Sequence, residues 1–226
     1  MSAPHASLLR RLAATIVEFH PDRIVRIAID GVDGAGKTTL ADALAPLVSG
    51  QGRPTIRASV DDFHNPRALR YARGRHSPDG FYLDSYDYGA LRELLLEPLS
   101  PGGSGRYIAK SFDHRIDAPV ACDVRQALPT TVLIVDGIFL HRSELRSYWD
   151  LSIFLKVDFE VSVPRGAQRG PDFGLPDLEA PANQRYVGGQ KMYFDACSPE
   201  KAADIVIDYN DLREPKVLKW KVPARH

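Results

Sequence analysis

The chain has 226 residues, and its 29 lysines and arginines balance 29 aspartates and glutamates, so the formal net charge is zero. This length predicts one domain over residues 1–226, and zero net charge argues against a nucleic-acid partner, which requires a basic excess. No apolar run approaches the roughly 18 residues of a membrane span, and Arg10, Arg11 and Glu18 interrupt the N-terminal segment, which therefore lacks a signal-peptide core. We expect a cytoplasmic protein with no membrane partner.

The apolar pattern predicts helices and strands in alternation. A stripe at Leu8, Leu12, Ile16 and Phe19 predicts a first helix within residues 1–20, stopped by Pro21. Strands are then predicted at 24–30, 55–60, 106–112, 131–135, 151–157 and 204–208, and helices at 39–48, 88–96, 159–169 and 182–195. Such alternation favours a parallel sheet covered by helices on both faces.

A phosphate-binding motif follows the first predicted strand. Residues 31–38 read GVDGAGKT and fit the pattern GxxxxGK[ST]. Its glycines let successive backbone N–H groups point at an anion, and the helix that follows adds its positive end. We expect Lys37 to bind the β- and γ-phosphates of ATP and the Thr38 hydroxyl to hold Mg²⁺. The residues predicted to bind ATP are Gly31, Asp33, Gly34, Ala35, Gly36, Lys37, Thr38 and Thr39.

Acidic residues stand where two predicted strands end. Asp61 and Asp62 follow the second strand, and Asp136 follows the apolar strand at 131–135. Parallel sheets bind their ligands at the carboxyl ends of the strands. One of the pair 61–62 is predicted to orient an acceptor hydroxyl and take its proton, and Asp136 to hold Mg²⁺ directly or through water. The alternatives are ordinary turn, cap or strand-end carboxylates.

Two groups of arginines are candidates for anion binding. Arg165 and Arg169 are four residues apart on a predicted helix, hence on one face, and are predicted to clamp the transferring phosphoryl group. The alternative is a solvated basic face. The second group is predicted to lie on the surface unless the acceptor is itself an anion, and it consists of Arg67, Arg70, Arg73 and Arg75.

Six segments together resemble the uridine kinase family, and they span residues 25–212. They are GVDGAGKTTLADAL, SVDDFHNP, FYLDSYDYGAL, LIVDGIFL, the arginines of 165–169, and DIVIDYND. That family belongs to a wider group with nicotinamide riboside kinase, phosphoribulokinase and bacterial pantothenate kinase. The resemblance implies a P-loop NTPase α/β three-layer sandwich, with a mainly parallel five-stranded sheet, helices on both faces and a small lid.

The resemblance also assigns roles to residues. It implies that Asp61 is the base facing the acceptor hydroxyl, that Asp87 binds ribose hydroxyls, that Thr38 and Asp136 serve Mg²⁺, and that residues 160–175 form a lid over ATP within which Arg165 and Arg169 lie. The predicted catalytic residues are then Asp61, Lys37, Arg165 and Arg169. The predicted acceptor region is 61–115, and the substrate-binding residues are Asp61, Tyr86, Asp87, Phe112, His114 and Arg185.

The chain departs from the family pattern at three places, one of which is SFDH at 111–114, where the spacing of Phe112 and His114 differs from that of the aromatic residue and histidine that the family places near the pyrimidine. Asp136 stands where uridine kinases usually carry a glutamate, and GPDFG at 170–174 makes the lid short. The sequence therefore predicts a kinase that transfers the γ-phosphoryl of Mg-ATP to a primary hydroxyl of a small molecule, with a nucleoside such as uridine or cytidine favoured. The alternatives are a pantothenate-like or sugar-like acceptor, or a nucleotide-binding regulator without an acceptor. Self-association is a further open alternative.

Overall fold

The computed structural model describes residues 2–170 and 174–222. The strands are β1 (Val25–Gly31), β2 (Thr55–Ser59), β3 (Arg106–Tyr107), β4 (Phe112–Asp113), β5 (Ala118–Pro119), β6 (Arg125–Gln126), β7 (Val132–Gly137), β8 (Leu151–Lys156), β9 (Ile205–Asp208) and β10 (Lys216–Trp220). The α-helices are α1 (Ala3–Glu18), α2 (Lys37–Ser49), α3 (Arg67–Arg70), α4 (Pro78–Asp84), α5 (Tyr88–Leu91), α6 (Phe159–Ala167), α7 (Pro181–Cys197) and α8 (Pro199–Ala202). Short 3₁₀ segments cover Val60–Phe63 and Arg146–Tyr148, and a π-helical segment covers Arg92–Leu96.

Six of these strands form the central sheet, in the order β10–β9–β8–β1–β7–β2. The five strands from β9 to β2 are parallel, and β10 joins the edge antiparallel to β9. The predicted five-stranded parallel sheet is therefore confirmed, with one additional edge strand. Strand β10 escaped prediction because it mixes lysines with exposed Val217 and Leu218 and shows no apolar alternation.

The prediction of a strand at 106–112 is wrong. Only β3 and β4 are extended there, and they pair with β6 and β5 in two small ladders outside the central sheet. Between them, the backbone of Ile108 donates to the carbonyl of Leu94 and that of Ser111 to the carbonyl of Asp62. This stretch therefore connects two other segments of the chain instead of adding to the sheet.

Helices cover both faces of the sheet and bury two separate apolar layers. Ile27 and Ile134 face α1 and α2, whereas Ala28 and Val135 face the layer that contains α4, α5 and part of α7. Such two-sided burial explains why the central strands read as continuous apolar runs. No helix in the described ranges 2–170 and 174–222 has the length and apolar character needed to span a membrane.

The first helix is confirmed and is closed at its C-terminal end by a buried arginine. Helix α1 packs its apolar stripe on α2, and its last residue is Glu18, just before Pro21. The guanidinium of Arg53 donates to the carbonyls of Ile16 (3.1 Å) and Phe19 (2.8 Å), at the end of the helix where carbonyls run out of backbone partners. Arg53 is almost fully buried, so these bonds fix the helix against the sheet.

The strand order places three strand ends side by side. Strand β7 lies between β1 and β2, and these strands end at Gly31, Ser59 and Gly137. The phosphate motif, the acidic pair at 61–62 and Asp136 therefore meet at one edge of the sheet, as the parallel topology predicts.

Candidate active site

The phosphate loop joins the end of β1 to the start of α2. Gly36 has φ +95° and forms the N-cap of α2, a left-handed conformation that glycine adopts without strain. Lys37 is buried, and its Nζ donates to the carbonyl of Val32 at 2.8 Å. The loop is therefore already curled, with the lysine folded back across it, so that backbone N–H groups and the helix N-terminus can face an anion.

Helices α6 and α7 hold this loop in place. Gly34, with φ +76°, lies so close to α6 that an added Cβ would stand 2.2 Å from the carbonyl oxygen of Ser162. The backbone N–H of Asp33 donates to Oε1 of Gln190 on α7 at 2.7 Å. The loop thus depends on a glycine that permits close approach and on one amide side chain that sequence reasoning missed.

A buried polar network lies directly behind the loop. Asp30 is fully buried at the end of β1, and its Oδ1 accepts from the backbone N–H of Gly31 at 2.7 Å. Its Oδ2 is hydrogen-bonded to Nδ1 of His141 (2.7 Å) and accepts from the hydroxyl of Tyr193. Sequence reasoning missed this network, although an aspartate inside the apolar run IVRIAID was a visible signal.

The predicted magnesium ligands lie side by side. Thr38 Oγ1 donates to Asp136 Oδ2 at 2.6 Å, and Asp136 Oδ1 accepts from Arg57 Nη2 at 2.8 Å. Mg²⁺ takes oxygen donors and completes its shell with waters and phosphate oxygens, so Thr38 and Asp136 beside the phosphate loop fit this ion. The described residues hold no group of three or more His, Cys, Asp or Glu side chains that could bind a metal ion by themselves.

Asp61 and Asp62 turn in different directions from the 3₁₀ segment that follows β2. The Asp61 side chain lines the cleft beside the phosphate loop. Asp62 instead forms an ion pair with Lys110 at 3.3 Å, and burial raises the pKa of its carboxyl while Lys110 opposes that rise. Geometry therefore selects Asp61 of the pair as the residue that faces a bound molecule.

A buried tyrosine holds the carboxylate of Asp61. The hydroxyl of Tyr86 donates to Asp61 Oδ1 at 3.1 Å. The backbone N–H of Asp87 donates to the carbonyl of Phe63, which aligns Tyr86 with the segment after β2. Burial raises the pKa of Tyr86 well above its ordinary value, and the charge of Asp61 raises it further, so the phenol remains a donor.

One polar cleft of about 900 Å³ contains most of the predicted site. The predicted residues that line it are Asp33, Gly34, Gly36, Lys37, Thr38, Asp61, Tyr86, His114, Asp136, Arg169 and Arg185. A second groove of about 810 Å³ lies along β8, β9 and α6 and is lined by Phe154, Phe159 and Phe194, but no predicted site residue reaches it. We therefore place the candidate active site in the polar cleft.

Three residues predicted to bind substrate or phosphate are not among those lining the cleft. Asp87 is exposed and caps α5, accepting from the backbone N–H of Ala90 at 2.8 Å. Phe112 is buried in β4. Arg165 donates to the carbonyl of Asn210 at 2.8 Å.

The predicted common face of Arg165 and Arg169 is also absent, because α6 ends at Ala167 and only Arg169 lines the cleft. Of the predicted lid at 160–175, residues 171–173 lie outside the described residues. Gly31, Ala35 and Thr39 belong to the loop and its helix but do not line the cleft.

Arg185 lines the cleft but also holds its wall together. From α7, its guanidinium donates to the carbonyls of Arg70 (2.7 Å) and Ser77 (3.1 Å). It therefore ties the segment between α3 and α4 to α7. Beside Asp61 the cleft carries further basic side chains that sequence reasoning left on the surface or did not single out, among them Arg70 and His64.

Comparisons with known proteins agree with this geometry. A model of the phosphoribulokinase / uridine kinase family matches residues 26–172. The uridine kinase of Leuconostoc citreum is 26% identical over 188 residues, covering 80% of this chain and 85% of that protein. The phosphoribulokinase of Synechocystis sp. is 25% identical over 218 residues, covering 89% of this chain and 60% of that protein.

A solved structure from Bacillus stearothermophilus, described as a possible uridine kinase, has a TM-score of 0.70 at 24% identity and covers 89% of this chain and 97% of that one. At this identity the likeness concerns the fold, and it extends over almost the whole of both chains. The family match and the shared architecture lead to one conclusion. The chain belongs to the phosphoribulokinase / uridine kinase family and has the fold of a P-loop kinase.

Proposed function

We propose that this protein transfers the γ-phosphoryl group of Mg-ATP to a hydroxyl group of a small molecule bound in the polar cleft. One observation carries the proposal: the carboxylate of Asp61, held by Tyr86, lines the same cleft as the phosphate loop. A protein that only binds nucleotide has no need of an oriented carboxylate opposite the phosphates. Phosphoryl transfer needs such a carboxylate, because the acceptor hydroxyl must lie in line with the γ-phosphoryl group and must lose its proton.

Each part of the site supports one step. The loop amides and Lys37 bind the phosphates of ATP, and Thr38 and Asp136 would hold Mg²⁺, which supplies charge neutralisation when bound. The acceptor hydroxyl donates a hydrogen bond to Asp61. As the new O–P bond forms and the bond to the β-phosphate oxygen breaks, Asp61 takes the hydroxyl proton and ADP leaves. Arg169, in the same cleft, adds positive charge where negative charge develops.

A nucleoside is the first candidate for the acceptor, and its support comes from the relatives named uridine kinase. His114 lines the cleft, as a base-contacting residue would. Against a nucleoside stand the positions of Asp87 and Phe112, which are not among the lining residues. The proposal therefore commits to a hydroxyl acceptor.

The test is acceptor-dependent ADP release by the variant Asp61→Asn, with Asp62→Asn as its matched control. Loss of a general base typically lowers the rate by about 10²–10⁴-fold, so we expect kcat of Asp61→Asn to fall by that factor while its affinity for Mg-ATP stays unchanged. Asp62→Asn should retain most of its activity, because Asp62 faces Lys110. Near-normal turnover by Asp61→Asn, or ATP binding without stimulation by any acceptor, would overturn the proposal.

A further inference from the structure

The acceptor side of the cleft is lined by a group of basic side chains next to Asp61. We call this group the basic wall, and it consists of His64, Arg67, Arg70, His114 and Arg115, all of which line the cleft. The imidazole Nδ1 of His64 lies 2.8 Å from the carbonyl oxygen of Asp61, and the rings of His64 and His114 are 4.7 Å apart. The wall therefore begins within one hydrogen bond of the candidate base.

Arginines continue the wall away from Asp61. Asp117 joins two of them: its Oδ1 accepts from Arg70 Nη2 at 3.3 Å and from the backbone N–H of Arg67 at 2.8 Å. Arg115 follows His114 directly and is exposed in the cleft. Three guanidinium groups thus lie along one stretch of a cleft in a protein whose formal net charge is zero.

The positive charge of the wall is only partly neutralised. Asp117 pairs with Arg70, but in the described part of the chain neither Arg67 nor Arg115 has a carboxylate within salt-bridge distance. The Arg70 side chain is only 11% exposed, and within residues 2–170 and 174–222 its buried Nε has no hydrogen-bond partner. A buried guanidinium N–H without an acceptor is costly, and a bound anion would supply one.

Arg70 acts electrostatically on His64. Burial lowers the pKa of the His64 imidazole, and the positive charge of Arg70 lowers it further, against the opposing effect of Asp61. A lowered pKa keeps this imidazole neutral at pH 7, so the arginines carry the positive charge of the wall.

We propose that the basic wall binds a phosphate monoester carried by the acceptor, so that the substrate is a phosphorylated hydroxy compound and not an uncharged nucleoside. This inference rests on the proposed function and specifies its acceptor. A carboxylate has two oxygens and is matched by a single guanidinium, whereas a phosphate monoester presents three acceptor oxygens and close to two negative charges. Three arginines flanked by two imidazoles match the larger charge.

The first experiment measures kcat/KM for ADP release with pairs of acceptors that differ only in a phosphate: a pentose with its phosphate, and a nucleoside with its monophosphate. A hydroxy acid such as glycerate represents the carboxylates. We expect the phosphorylated members to be preferred and Arg115→Gln or Arg70→Gln to reduce that preference about 10- to 100-fold. The control is Arg213→Gln, an exposed arginine outside the cleft, which should keep the preference.

The second experiment does not depend on turnover. Inorganic phosphate is titrated into protein saturated with Mg²⁺ and a non-hydrolysable ATP analogue, so that the phosphate loop is occupied, and the melting temperature is followed. Phosphate should stabilise wild type and Arg213→Gln, with at least about tenfold weaker binding to Arg115→Gln. Because Arg115 is exposed, its variant tests the wall even if Arg70→Gln does not fold.

The outcomes separate the two proposals. If the uncharged or carboxylate acceptors are used as well as the phosphorylated ones, or if the Arg115→Gln and Arg70→Gln variants keep both the preference and the phosphate affinity, the inference is wrong and the kinase function stands. If no acceptor stimulates ADP release while phosphate binds through Arg115, the kinase function is wrong and the anion site stands.

Discussion

The two ends of the cleft are built in different ways. At the donor end, the backbone of one continuous loop faces the phosphate site, and it is held by a buried carboxylate behind it and by α6 and α7 beside it. At the acceptor end, side chains from several distant segments converge, including those around Asp61, Tyr86, His114 and Arg185. The donor end therefore depends on backbone conformation, and the acceptor end depends on the identity of individual side chains.

This difference has a consequence for specificity. Backbone amides recognise a polyphosphate regardless of most side-chain changes, so the donor end can stay constant while the acceptor changes. At the acceptor end, one substitution alters the charge or the hydrogen bonding that a substrate meets. The comparison predicts that glycine substitutions damage the donor end most. Side-chain substitutions at the acceptor end should lower kcat without changing the affinity for ATP.

The largest effect is expected at Gly34. In Gly34→Ala the new Cβ would meet the carbonyl oxygen of Ser162 at a residue whose φ is +76°, so the loop must shift away from α6. A misplacement of about 1 Å can cost on the order of 100-fold in rate, and we expect at least that loss in kcat/KM for ATP.

The matched control for this change is Gly52→Ala. Gly52 has a similar φ of +90° but no atom within 4 Å of an added Cβ, so it carries the conformational strain without the clash. It should keep its ATP affinity. Equal ATP kinetics for the two variants would show that close packing against α6 does not shape the donor end.

A smaller effect is expected from the carboxylate behind the loop. In Asp30→Asn, the side-chain amide has one acceptor oxygen where the carboxylate has two, so it cannot accept from Gly31 on one side and from His141 and Tyr193 on the other, which leaves a buried polar group poorly paired. Such a loss costs about 2 kcal/mol of unfolding free energy, measurable by urea denaturation. The affinity for ATP should fall as well, because Asp30 also fixes the backbone of Gly31.

Tyr193→Phe removes one donor to Asp30 and the acceptor of the His141 backbone N–H but leaves the carboxylate in place, so it should cost less than Asp30→Asn in the same measurement. If Asp30→Asn were as stable as wild type and bound ATP normally, the buried carboxylate of Asp30 would not be needed to hold the phosphate loop.

Local sequence patterns reveal the donor end and the central strands more readily than they reveal the acceptor end. The loop at 31–38 is a single motif between a strand and a helix, and its conformation follows from its own glycines. The resemblance to the uridine kinase family implied a ribose contact for Asp87, and in the structure this side chain caps α5. An aspartate before a short helix and an aspartate in a binding site look alike until tertiary packing places them.

The basic wall could not be predicted for a related reason. Arg67 and Arg70 were visible within a cluster, but whether they face solvent or a cleft depends on contacts such as those of Arg185 with the carbonyls of Arg70 and Ser77. Those contacts join segments more than a hundred residues apart. Likewise, Arg165 and Arg169 do not share a helix face, because α6 ends at Ala167, two residues earlier than its pattern predicted.

The smallest effect is expected at the acceptor end, from Tyr86→Phe. This change removes the hydrogen bond to Asp61 Oδ1 and leaves the ring packed, so Asp61 is no longer held toward the acceptor. A hydrogen bond to a charged group contributes about 1.5 kcal/mol, which corresponds to about a tenfold lower kcat with an unchanged affinity for ATP.

Tyr88→Phe is the matched control for this variant, because the buried hydroxyl of Tyr88 has no hydrogen-bond partner in the described part of the chain. It should therefore keep the wild-type rate. A Tyr86→Phe variant that weakens ATP binding as much as it slows turnover would contradict the separation of the two ends, because it would mean that side chains at the acceptor end also shape the phosphate loop.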